Sequence, residues 1–507
     1  MDRKKSTSFI FCFTALIVIT AVIFCYPFFI CYNAYAVTNS PIYSSWFVAE
    51  NEPYGLNVKS LWQDIKNKTT YDVTYQKSDV VVAIIDSGLD VNHSYFSGAL
   101  WTNDREKING IDDDGNGVID DIHGANFTAI DKTGKYKGDY NDCMSGGTAS
   151  QYWHGTHVAG IVRSIAPNVK IMPIKAGTKI YKNGYVCSFD TKDVVEAILY
   201  AANNGADIIN LSFGTEKASF VTDKVQIAAS STEYSVQDAI NFAVEKCGAM
   251  VVGAMGNDGK STNFYPACCD NVVSVMASNE QGKRWANSNY LLQSDIAAPG
   301  YNILSTIGNS VSTEGAPTGY GVKNGTSMAT PYVCGVAALL MSTTGIKYGR
   351  DVASYLTDKN ALSLFDYGNS LASSNLLLDY TACKNILENM LSGGDIIKPN
   401  DVYKKIISCY DNEKMTINLK YGYEGEAEWY NNGELKNVGY SYTFKPSTDT
   451  IIEVRVNGVL VEVYEVKVKS YKNFILTISL SVIGGIVVIG GVSAVCVYVY
   501  VKKKKNT

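Results

Sequence analysis

The sequence predicts an α/β fold with a doubly wound, mostly parallel sheet, followed by a small all-β sandwich and a single C-terminal transmembrane helix. Segments with helical and strand-like periods alternate through most of the chain, and short links containing glycine join them, as in parallel sheets. After residue 395, short alternating runs separated by turn formers replace this pattern and predict a small antiparallel sandwich. We expect a signal peptide at 1–36, the α/β domain at 37–395, the sandwich at 396–470, and the membrane helix with its basic cytoplasmic tail at 471–507.

Two helix–strand repeats define the predicted sheet. Residues 193–203 carry apolar residues at helical spacing, Gly205 ends this helix, and 207–214 is predicted as a strand. The second repeat has a helix at 236–246 and a strand at 249–254. Because ligands of such sheets bind beyond the carboxyl ends of the strands, the polar residues that follow the strands are candidate site residues.

The composition is that of a folded, exported protein. The chain has 507 residues and a net charge of −5, although seven basic residues cluster at its two ends, so the part between them is more acidic than the whole. This argues against nucleic acid as a partner. Eight cysteines lie outside the predicted signal and membrane segments and permit disulfides, but their pairing stays open. They are Cys143, Cys187, Cys247, Cys268, Cys269, Cys334, Cys383 and Cys409.

Both ends of the chain carry membrane-targeting patterns. Basic residues precede an apolar run at 9–30, and Ala34-Tyr35-Ala36 offers a cleavage site after Ala36; the alternative is an uncleaved anchor. Residues 474–501 contain no charge, and four lysines follow directly at 502–505, as in a stop-transfer helix. We therefore expect a single-pass protein of the cell membrane whose folded domains are extracellular. The sandwich either binds a partner or serves as a spacer.

Three segments carry the residue types of one hydrolytic chemistry. Ser327 lies in NGTSMATP at 324–331, a glycine-led turn at the start of an apolar helix, which taken alone is also an ordinary helix cap. Asp86 ends a strand-like apolar run and opens DSG, and His154 opens HGTHVAG. A serine hydroxyl is a weak nucleophile, so it needs a base and a group that orients the base. Serine, histidine and aspartate supply these three functions.

In this order the three segments resemble the motifs of the subtilisin-like serine proteases (subtilases), and the resemblance covers about residues 51–387. It implies that Ser327 attacks the scissile carbonyl, His154 transfers the proton, and Asp86 orients His154. MGNDG at 255–259 resembles the family segment with the oxyanion asparagine, so Asn257 and the backbone amide of Ser327 are the implied oxyanion donors. The structural alternatives are a helix cap for Asp86, a turn former for Asn257 and a core histidine for His154.

The resemblance implies a serine endopeptidase acting on protein or peptide substrates, and the membrane-targeting patterns predict that it is anchored at the surface. The alternative is a catalytically silent surface binding protein on the same scaffold. Three positions depart from the family pattern, and at one of them Ser94 stands where proline is usual. Met255 replaces an alanine, which is predicted to narrow the primary specificity pocket, and Tyr95 stands where a calcium-binding aspartate is frequent, so that calcium site is predicted to be lost. The oligomeric state stays open.

An acidic loop predicts a different, structural calcium site. The segment DDDGNGVIDD at 112–121 has the oxygen donors and the glycine of an EF-hand loop, with the carbonyl of Val118 at its seventh position. His123 stands where the final glutamate of such a loop belongs, and Asp121 is a candidate substitute for it. The alternative is a solvated acidic turn. The expected side-chain ligands are Asp112, Asp114, Asn116, Asp120 and Asp121.

Overall fold

The structure is a computed structural model that describes residues 40–69, 71–73, 78–130, 135–139, 153–181, 185–227, 232–291, 294–366, 374–392, 403–410, 415–418, 427–439, 441–456 and 459–469. The predicted signal peptide at 1–36 and the predicted membrane helix at 474–501 lie outside these residues. The chain divides into two compact units, Met1–Ile396 and Ile397–Thr507.

The first unit alternates helices and strands. Its helices are α1 (Val58–Thr69), α2 (His154–Ile165), α3 (Thr191–Asn203), α4 (Ser219–Thr222), α5 (Val236–Asn241, extended by a π-turn at Phe242–Lys246), α6 (Thr326–Thr344), α7 (Gly349–Leu356) and α8 (Tyr380–Leu391). Its strands are β1 (Val81–Asp86), β2 (Val118–Ile119), β3 (Ala125–Asn126), β4 (Tyr136–Lys137), β5 (Lys170–Lys175), β6 (Gly177–Tyr181), β7 (Tyr185–Phe189), β8 (Ile208–Leu211), β9 (Val225–Gln226), β10 (Glu233–Tyr234), β11 (Met250–Ala254), β12 (Val272–Ser278), β13 (Ile296–Pro299), β14 (Ile303–Thr306), β15 (Tyr320–Lys323), β16 (Ser363–Phe365) and β17 (Ser374–Leu377).

Within the described residues, eleven of these strands form one large sheet in the order β16-β17-β13-β12-β11-β8-β1-β5-β3-β4-β2. Neighbouring strands from β17 to β3 are parallel, whereas β16 and β4 pair antiparallel with β17 and β3. The predicted α/β fold with a large, mostly parallel sheet is confirmed. The antiparallel pairs lie towards its two edges.

Alternate residues of the central strands face opposite helix layers. Val82 and Ile84 of β1 belong to an apolar cluster with α2 and α6, whereas Val81, Ala83 and Ile85 belong to a second cluster with α3 and α5. Every residue of β1 is buried. This explains why the strand is a continuous apolar run, since a parallel strand covered on both faces has no polar side to alternate with.

No helix in the described part of the chain is, by itself, both long and apolar enough to cross a membrane. Helices α6 and α7 meet that criterion only when taken together, and the two are bent by 113° relative to each other. Most of α6 is buried in the core of the first unit.

The second unit consists of β18 (Tyr403–Tyr410), β19 (Met415–Asn418), β20 (Ala427–Asn431), β21 (Glu434–Val438), β22 (Ser441–Phe444), β23 (Thr450–Val456) and β24 (Val459–Lys469). Its described strands form a five-stranded sheet, β18-β24-β23-β20-β21, and a two-stranded sheet, β19-β22. Trp429 is fully buried beside Phe444 and Ile452 from other strands. The sandwich itself stays a prediction.

One strand of the second unit corrects the predicted antiparallel pairing. Strand β18 pairs parallel with β24 along its whole length. It was not predicted, because Tyr403-Lys404-Lys405-Ile406-Ile407 carries its two lysines and two isoleucines side by side and so lacks the period of a half-buried strand.

His157 is a buried neutral group in the first turn of α2. It is fully buried, and its Nε2 lies 3.0 Å from the Gly321 carbonyl oxygen and 3.1 Å from that of Ile303. Its Nδ1 is also buried and lacks a hydrogen-bond partner. Burial lowers the pKa of His157 well below the usual value for histidine. The folded chain therefore holds this ring without charge, with its proton on Nε2.

We expect the free energy of unfolding to fall as the pH drops below about 6.5, the ordinary pKa of histidine. Below that pH the unfolded chain binds a proton at residue 157 that the folded chain excludes, whereas above it the contribution of the neutral ring is fully present. One such proton gives a slope of about 1.4 kcal/mol per pH unit. Urea unfolding at several pH values measures this slope.

The matched variant is His157→Gln, whose amide can donate to the same carbonyl groups but does not titrate. Below about pH 6.5, the free energy of unfolding of this variant should change less steeply with pH, by about 1.4 kcal/mol per pH unit. Equal slopes for the two proteins would contradict a neutral His157.

Candidate active site

Three neighbouring strand ends meet at one edge of the sheet. Strand β8 lies between β1 and β11, and all three are parallel, with Leu211 opposite Ile85 on one side and Gly253 on the other. Asp86 ends β1, Ser212 follows β8, and Asn257 follows β11. Because strands in register end together, these polar residues lie at the carboxyl edge where parallel sheets bind their ligands.

Asp86, which is buried, and His154, which is partly exposed, form a hydrogen-bonded pair. Asp86 is 1% exposed, and its Oδ1 and Oδ2 lie 2.8 and 3.0 Å from Nδ1 of His154, the first residue of α2. The backbone amide of Ser87 donates to the same Oδ1 at 2.7 Å. A carboxylate that faces Nδ1 holds the proton on that nitrogen. The opposite nitrogen, Nε2, is then the basic atom of the ring.

Glycine is required directly after His154. A Cβ at Gly155 would come within 2.2 Å of the Gly88 carbonyl oxygen and 3.1 Å of the Asp86 Cβ. The amide of Gly155 donates to the Ser87 hydroxyl at 3.1 Å. These contacts hold the start of α2 tightly against the end of β1. They explain why a glycine follows His154 and why Ser87 follows Asp86.

Ser327 and Ser212 are linked by two reciprocal hydrogen bonds. The Ser327 hydroxyl donates to the backbone carbonyl of Ser212 at 2.9 Å, and the Ser212 hydroxyl donates to the backbone carbonyl of Ser327 at 3.1 Å. The buried amide of Asn210 in turn donates to the Ser212 hydroxyl at 2.9 Å. The start of α6 is thereby attached to the end of β8.

Pro331 explains why the Ser327 carbonyl is available to Ser212. Proline lacks the amide hydrogen that would bond the carbonyl four residues earlier in a helix, and residue 327 is that position. The Ser212 hydroxyl supplies the bond that Pro331 cannot make. Helix α6 therefore tolerates Pro331, because Ser212, which follows strand β8, donates a hydrogen bond to the Ser327 carbonyl group that the proline leaves unpaired.

His154 and Ser327 are therefore held at adjacent strands. His154 is bound to the last residue of β1, and Ser327 to the residue that follows β8. Adjacent strands lie about 4.8 Å apart. The Ser327 hydroxyl donates to the Ser212 carbonyl, so this hydrogen bond must break before the hydroxyl can donate to His154.

Asn257 faces the start of α6 from the third strand end. Its Oδ1 accepts hydrogen bonds from the backbone amide of Thr326 at 2.9 Å and from the Thr326 hydroxyl at 3.1 Å. The amide can only donate, so the atom that it faces must be the oxygen of the side chain. A Cβ at Gly325 would lie 3.4 Å from Asn257 Nδ2 and 3.5 Å from the Ser327 amide nitrogen. The same point lies 3.6 Å from Asn257 Oδ1, so the side-chain amide group of Asn257 and the backbone amide of Ser327 both lie near one point beside Ser327.

Met255 corrects one expectation from the sequence. Its side chain is fully buried in an apolar cluster with Ala267, Met276, Phe365 and Leu376. A side chain without any exposed surface does not line an open pocket. The predicted narrowing of a specificity pocket by Met255 is therefore wrong, because the residue faces the core.

The acidic loop brings two of its five predicted ligands together with a residue that the sequence analysis missed. One oxygen from each of Glu106, Asp112 and Asp114 lies within 4.8 Å of the others. Glu106 is 5% exposed, and its Oε2 is buried without a hydrogen-bond partner. An orphaned carboxylate oxygen that lies among two further carboxylates fits a hard divalent cation such as calcium.

Basic side chains neutralise part of this cluster. Lys135 Nζ lies 2.6 Å from Asp112 Oδ2, and Arg105 Nη2 lies 3.1 Å from Asp114 Oδ2. Burial opposes ionisation of Asp112, but the hydrogen bonds from Lys135 and from the amides of Gly117 and Gly115 outweigh it and hold its pKa below the usual value. Asp112 is therefore ionised at neutral pH and available to a cation.

The other three predicted ligands have protein partners instead. Asp120 Oδ1 accepts from two backbone amides, those of Asn109 and Gly110, at 2.9 Å each. Asp121 is fully buried, and its Oδ2 accepts from Tyr200 at 2.5 Å and from the Asn116 amide at 2.9 Å. Burial raises the pKa of Asp121 to about 6.

No spacing rule of an EF-hand loop points to Glu106, because it lies six residues before the first loop position. The usable signal is its carboxylate next to a dense acidic stretch, although such a residue is more often exposed. Only the folded chain shows that its side chain is buried.

Comparison with known proteins assigns the class of protein. The family model described as the subtilase family matches residues 77–376, which is more than half of the chain. The chain therefore belongs to the subtilase family. This confirms the class predicted from the three motifs, that of the subtilisin-like serine endopeptidases.

Similar relatives include an "Extracellular protease" of Xanthomonas campestris pv. campestris, which is 32% identical over 314 residues, covering 57% of this chain and 46% of that protein. A "Thermophilic serine proteinase" of Bacillus sp. (strain AK1) is 32% identical over 319 residues, covering 61% of this chain and 63% of that protein. "Subtilisin Savinase" of Lederbergia lenta is 32% identical over 190 residues, covering 37% of this chain and 62% of that protein. The chain thus spans between about half and two thirds of these relatives.

Five cysteines of the first unit are free thiols: Cys247, Cys268, Cys269, Cys334 and Cys383. The sequence had only permitted disulfides, and these five make none within the structure. Cys143 lies outside the described residues.

The attachment of Ser327 to Ser212 predicts a coupling that a double-mutant cycle can measure. Ser212→Ala should lower the free energy of unfolding by about 1–3 kcal/mol, because it leaves the Ser327 carbonyl without its partner. In a Pro331→Ala background the loss should be smaller, because the new amide of residue 331 can bond that carbonyl. The unpaired Asn210 amide is common to both backgrounds and cancels.

Urea unfolding of the four proteins gives the coupling energy. Equal losses in the two backgrounds would show that the Ser212 hydroxyl does not substitute for the missing helical hydrogen bond.

Proposed function

We propose that this chain is a surface-anchored serine endopeptidase that cleaves peptide bonds of protein or peptide substrates through an acyl-enzyme on Ser327. One observation carries the proposal. The Asp86 carboxylate lies 2.8 Å from Nδ1 of His154, beside the strand end that holds Ser327. Membership in a family whose relatives are named as proteases supports it.

The proposed reaction uses His154 as the base and then as the acid. Its Nε2 accepts the Ser327 proton while Oγ attacks the carbonyl carbon, and Asp86 stabilises the charged ring that results. The carbon–nitrogen bond then breaks, and the leaving amine takes the proton from His154. Water repeats the sequence on the ester: His154 accepts a proton from water, the hydroxide oxygen attacks, and Ser327 leaves with the returned proton.

The negative charge that develops on the carbonyl oxygen needs fixed donors. Asn257 Nδ2 and the Ser327 amide both lie near one point beside Gly325, and we expect the substrate oxygen to accept hydrogen bonds from both. The bonds from Thr326 hold the Asn257 side chain in this orientation before substrate arrives. Losing such an asparagine donor lowers kcat by about 10²–10³, a magnitude borrowed from subtilisin itself.

The proposal includes a structural calcium ion at the acidic loop, held by Glu106, Asp112 and Asp114. Calcium would offset two of the three negative charges and would compete with Lys135 for Asp112. The unpartnered Glu106 oxygen supports this set, because a buried carboxylate oxygen without a donor is costly unless a cation satisfies it.

We propose further that residues 474–501 anchor the protein and leave only the lysines at 502–505 in the cytoplasm, after signal cleavage behind Ala36. The uncharged run and its basic flank support this topology. The name of the Xanthomonas relative, "Extracellular protease", agrees with an extracellular catalytic domain.

A fluorophosphonate probe tests the proposed nucleophile. We expect it to label the purified protein at Ser327, because the base and the oxyanion donors activate only this hydroxyl. The Ser327→Ala and His154→Ala proteins should not react. Intact-protein mass spectrometry and peptide mapping read out the modification.

The matched control is Ser312→Ala, which removes an exposed hydroxyl elsewhere in the first unit and should leave labelling unchanged. A folded wild-type protein that takes up no probe would favour the alternative, a catalytically silent binding protein on this scaffold.

Calcium should raise the melting temperature of the chain. A ligand that binds only the folded state adds about 2.7 kcal/mol at one hundred times its dissociation constant. We expect Glu106→Gln to remove most of the calcium response measured by differential scanning calorimetry in the Ser327→Ala background, which removes self-digestion.

Asp113→Asn is the matched control, because Asp113 lies in the same loop but bonds to Asn109 outside the cluster of three. Its calcium response should equal that of the parent protein. Equal melting temperatures in excess calcium and in chelator would show that the loop is an acidic turn without a calcium site.

A further inference from the structure

An aromatic ring separates the two chain segments that flank Ser327. One segment runs from Ser212 to Gly214 after β8, and the other runs through Gly256 after β11. A Cβ at Gly214 would lie 2.5 and 2.9 Å from Cε1 and Cδ1 of Phe264. A Cβ at Gly256 would lie 2.8 and 2.9 Å from Cδ2 and Cε2 of the same ring. Opposite edges of the Phe264 ring therefore contact opposite segments.

Both contacted segments also hold the start of α6. Ser212 exchanges two hydrogen bonds with Ser327, and the Gly256 amide donates to the Thr326 hydroxyl at 3.0 Å. The gap between the two segments thus opens directly beside the nucleophile. Phe264 is partly exposed, so its ring lines this gap rather than the core.

Neighbouring contacts hold the Phe264 backbone in place. Thr215 and Tyr265 exchange two backbone hydrogen bonds of 2.8 Å, which tie the residue after Phe264 to the residue after Gly214. The Phe264 amide donates to Cys268 Sγ at 3.4 Å. Since the backbone is fixed on both sides, the ring can leave the gap only by a change of its own side-chain torsions.

A substrate bound for the proposed reaction would direct one side chain towards this gap. Its scissile carbonyl carbon must meet Ser327 Oγ while its oxygen meets Asn257 Nδ2 and the Ser327 amide. The Cα that carries the side chain on the acyl side is one bond from that carbon. This side chain then lies next to the segments that carry Ser212 and Gly256, where the Phe264 ring already is.

We propose that Phe264 fills the pocket for the side chain on the acyl side of the scissile bond, so the enzyme prefers substrates with glycine, alanine or serine at that position. This inference rests on the proposed function and names its substrate class. A large side chain would have to displace a ring whose two edges are already in contact, whereas a hydrogen atom or a methyl group would not. Phe264, rather than Met255, narrows the pocket.

Two fluorogenic peptides that differ only at the acyl-side residue, alanine or phenylalanine, test the proposal on the purified full chain. Wild type should cleave the alanine peptide with the higher kcat/KM. Phe264→Gly empties the gap and should raise the phenylalanine-to-alanine ratio of kcat/KM by about tenfold or more, in the range that hydrophobic pockets achieve. Phe264→Tyr keeps the ring and should retain the wild-type preference.

Fluorophosphonate labelling of Ser327 accompanies each assay. It distinguishes a failure of the endopeptidase proposal from a failure of the role proposed for Phe264. Labelled wild type that cleaves the phenylalanine peptide faster than the alanine peptide overturns the role of Phe264 and leaves the endopeptidase proposal intact. An unchanged ratio in labelled Phe264→Gly overturns that role as well. If wild type is not labelled, both proposals fail. The wild-type preference decides the question even if the glycine variant does not fold.

Discussion

The parallel hydrogen-bond register of β1, β8 and β11 is the constraint on which the site depends. It brings Asp86, Ser212 and Asn257 to one edge, although they are far apart in the sequence. Each of these residues then fixes a helix start: Asp86 holds His154, and the other two hold α6 at residues 326 and 327. A one-residue slip between neighbouring strands would shift these residues along the edge relative to one another and separate these partners.

At the start of α6, tertiary contacts outweigh the low helix propensity of individual residues. Pro331 is a poor helix residue, yet here it frees a carbonyl group for Ser212, and Gly325, which precedes the helix as its N-cap, leaves open the point near the Asn257 and Ser327 amides. The same logic applies to Gly155, where a side chain would collide with β1. Residues that weaken a helix in isolation thus allow the close contacts that the proposed chemistry needs.

Sequence patterns predicted the sheet and the three motif segments because both depend on short-range order. Strand β1 is a continuous apolar run, and Asp86, His154 and Ser327 lie in long matching segments. The direction of single side chains was not predictable. Met255 faces the core and Glu106 is buried in the acidic cluster, because only the packing of distant segments decides which way each one points. Strand β18 was missed for another reason, since its sequence lacks the alternation of a half-buried strand.

A crystal structure of the Ser327 adduct with a peptidyl phosphonate tests the central claim most directly, since the phosphonyl oxygen takes the place of the reacting oxyanion. The account predicts this oxygen within hydrogen-bond distance of Asn257 Nδ2 and the Ser327 amide nitrogen, with His154 still bonded to Asp86 through Nδ1. An adduct whose phosphonyl oxygen points away from both donors, or in which Asn257 has left Thr326, would contradict the convergence of the three strand ends on one reaction centre.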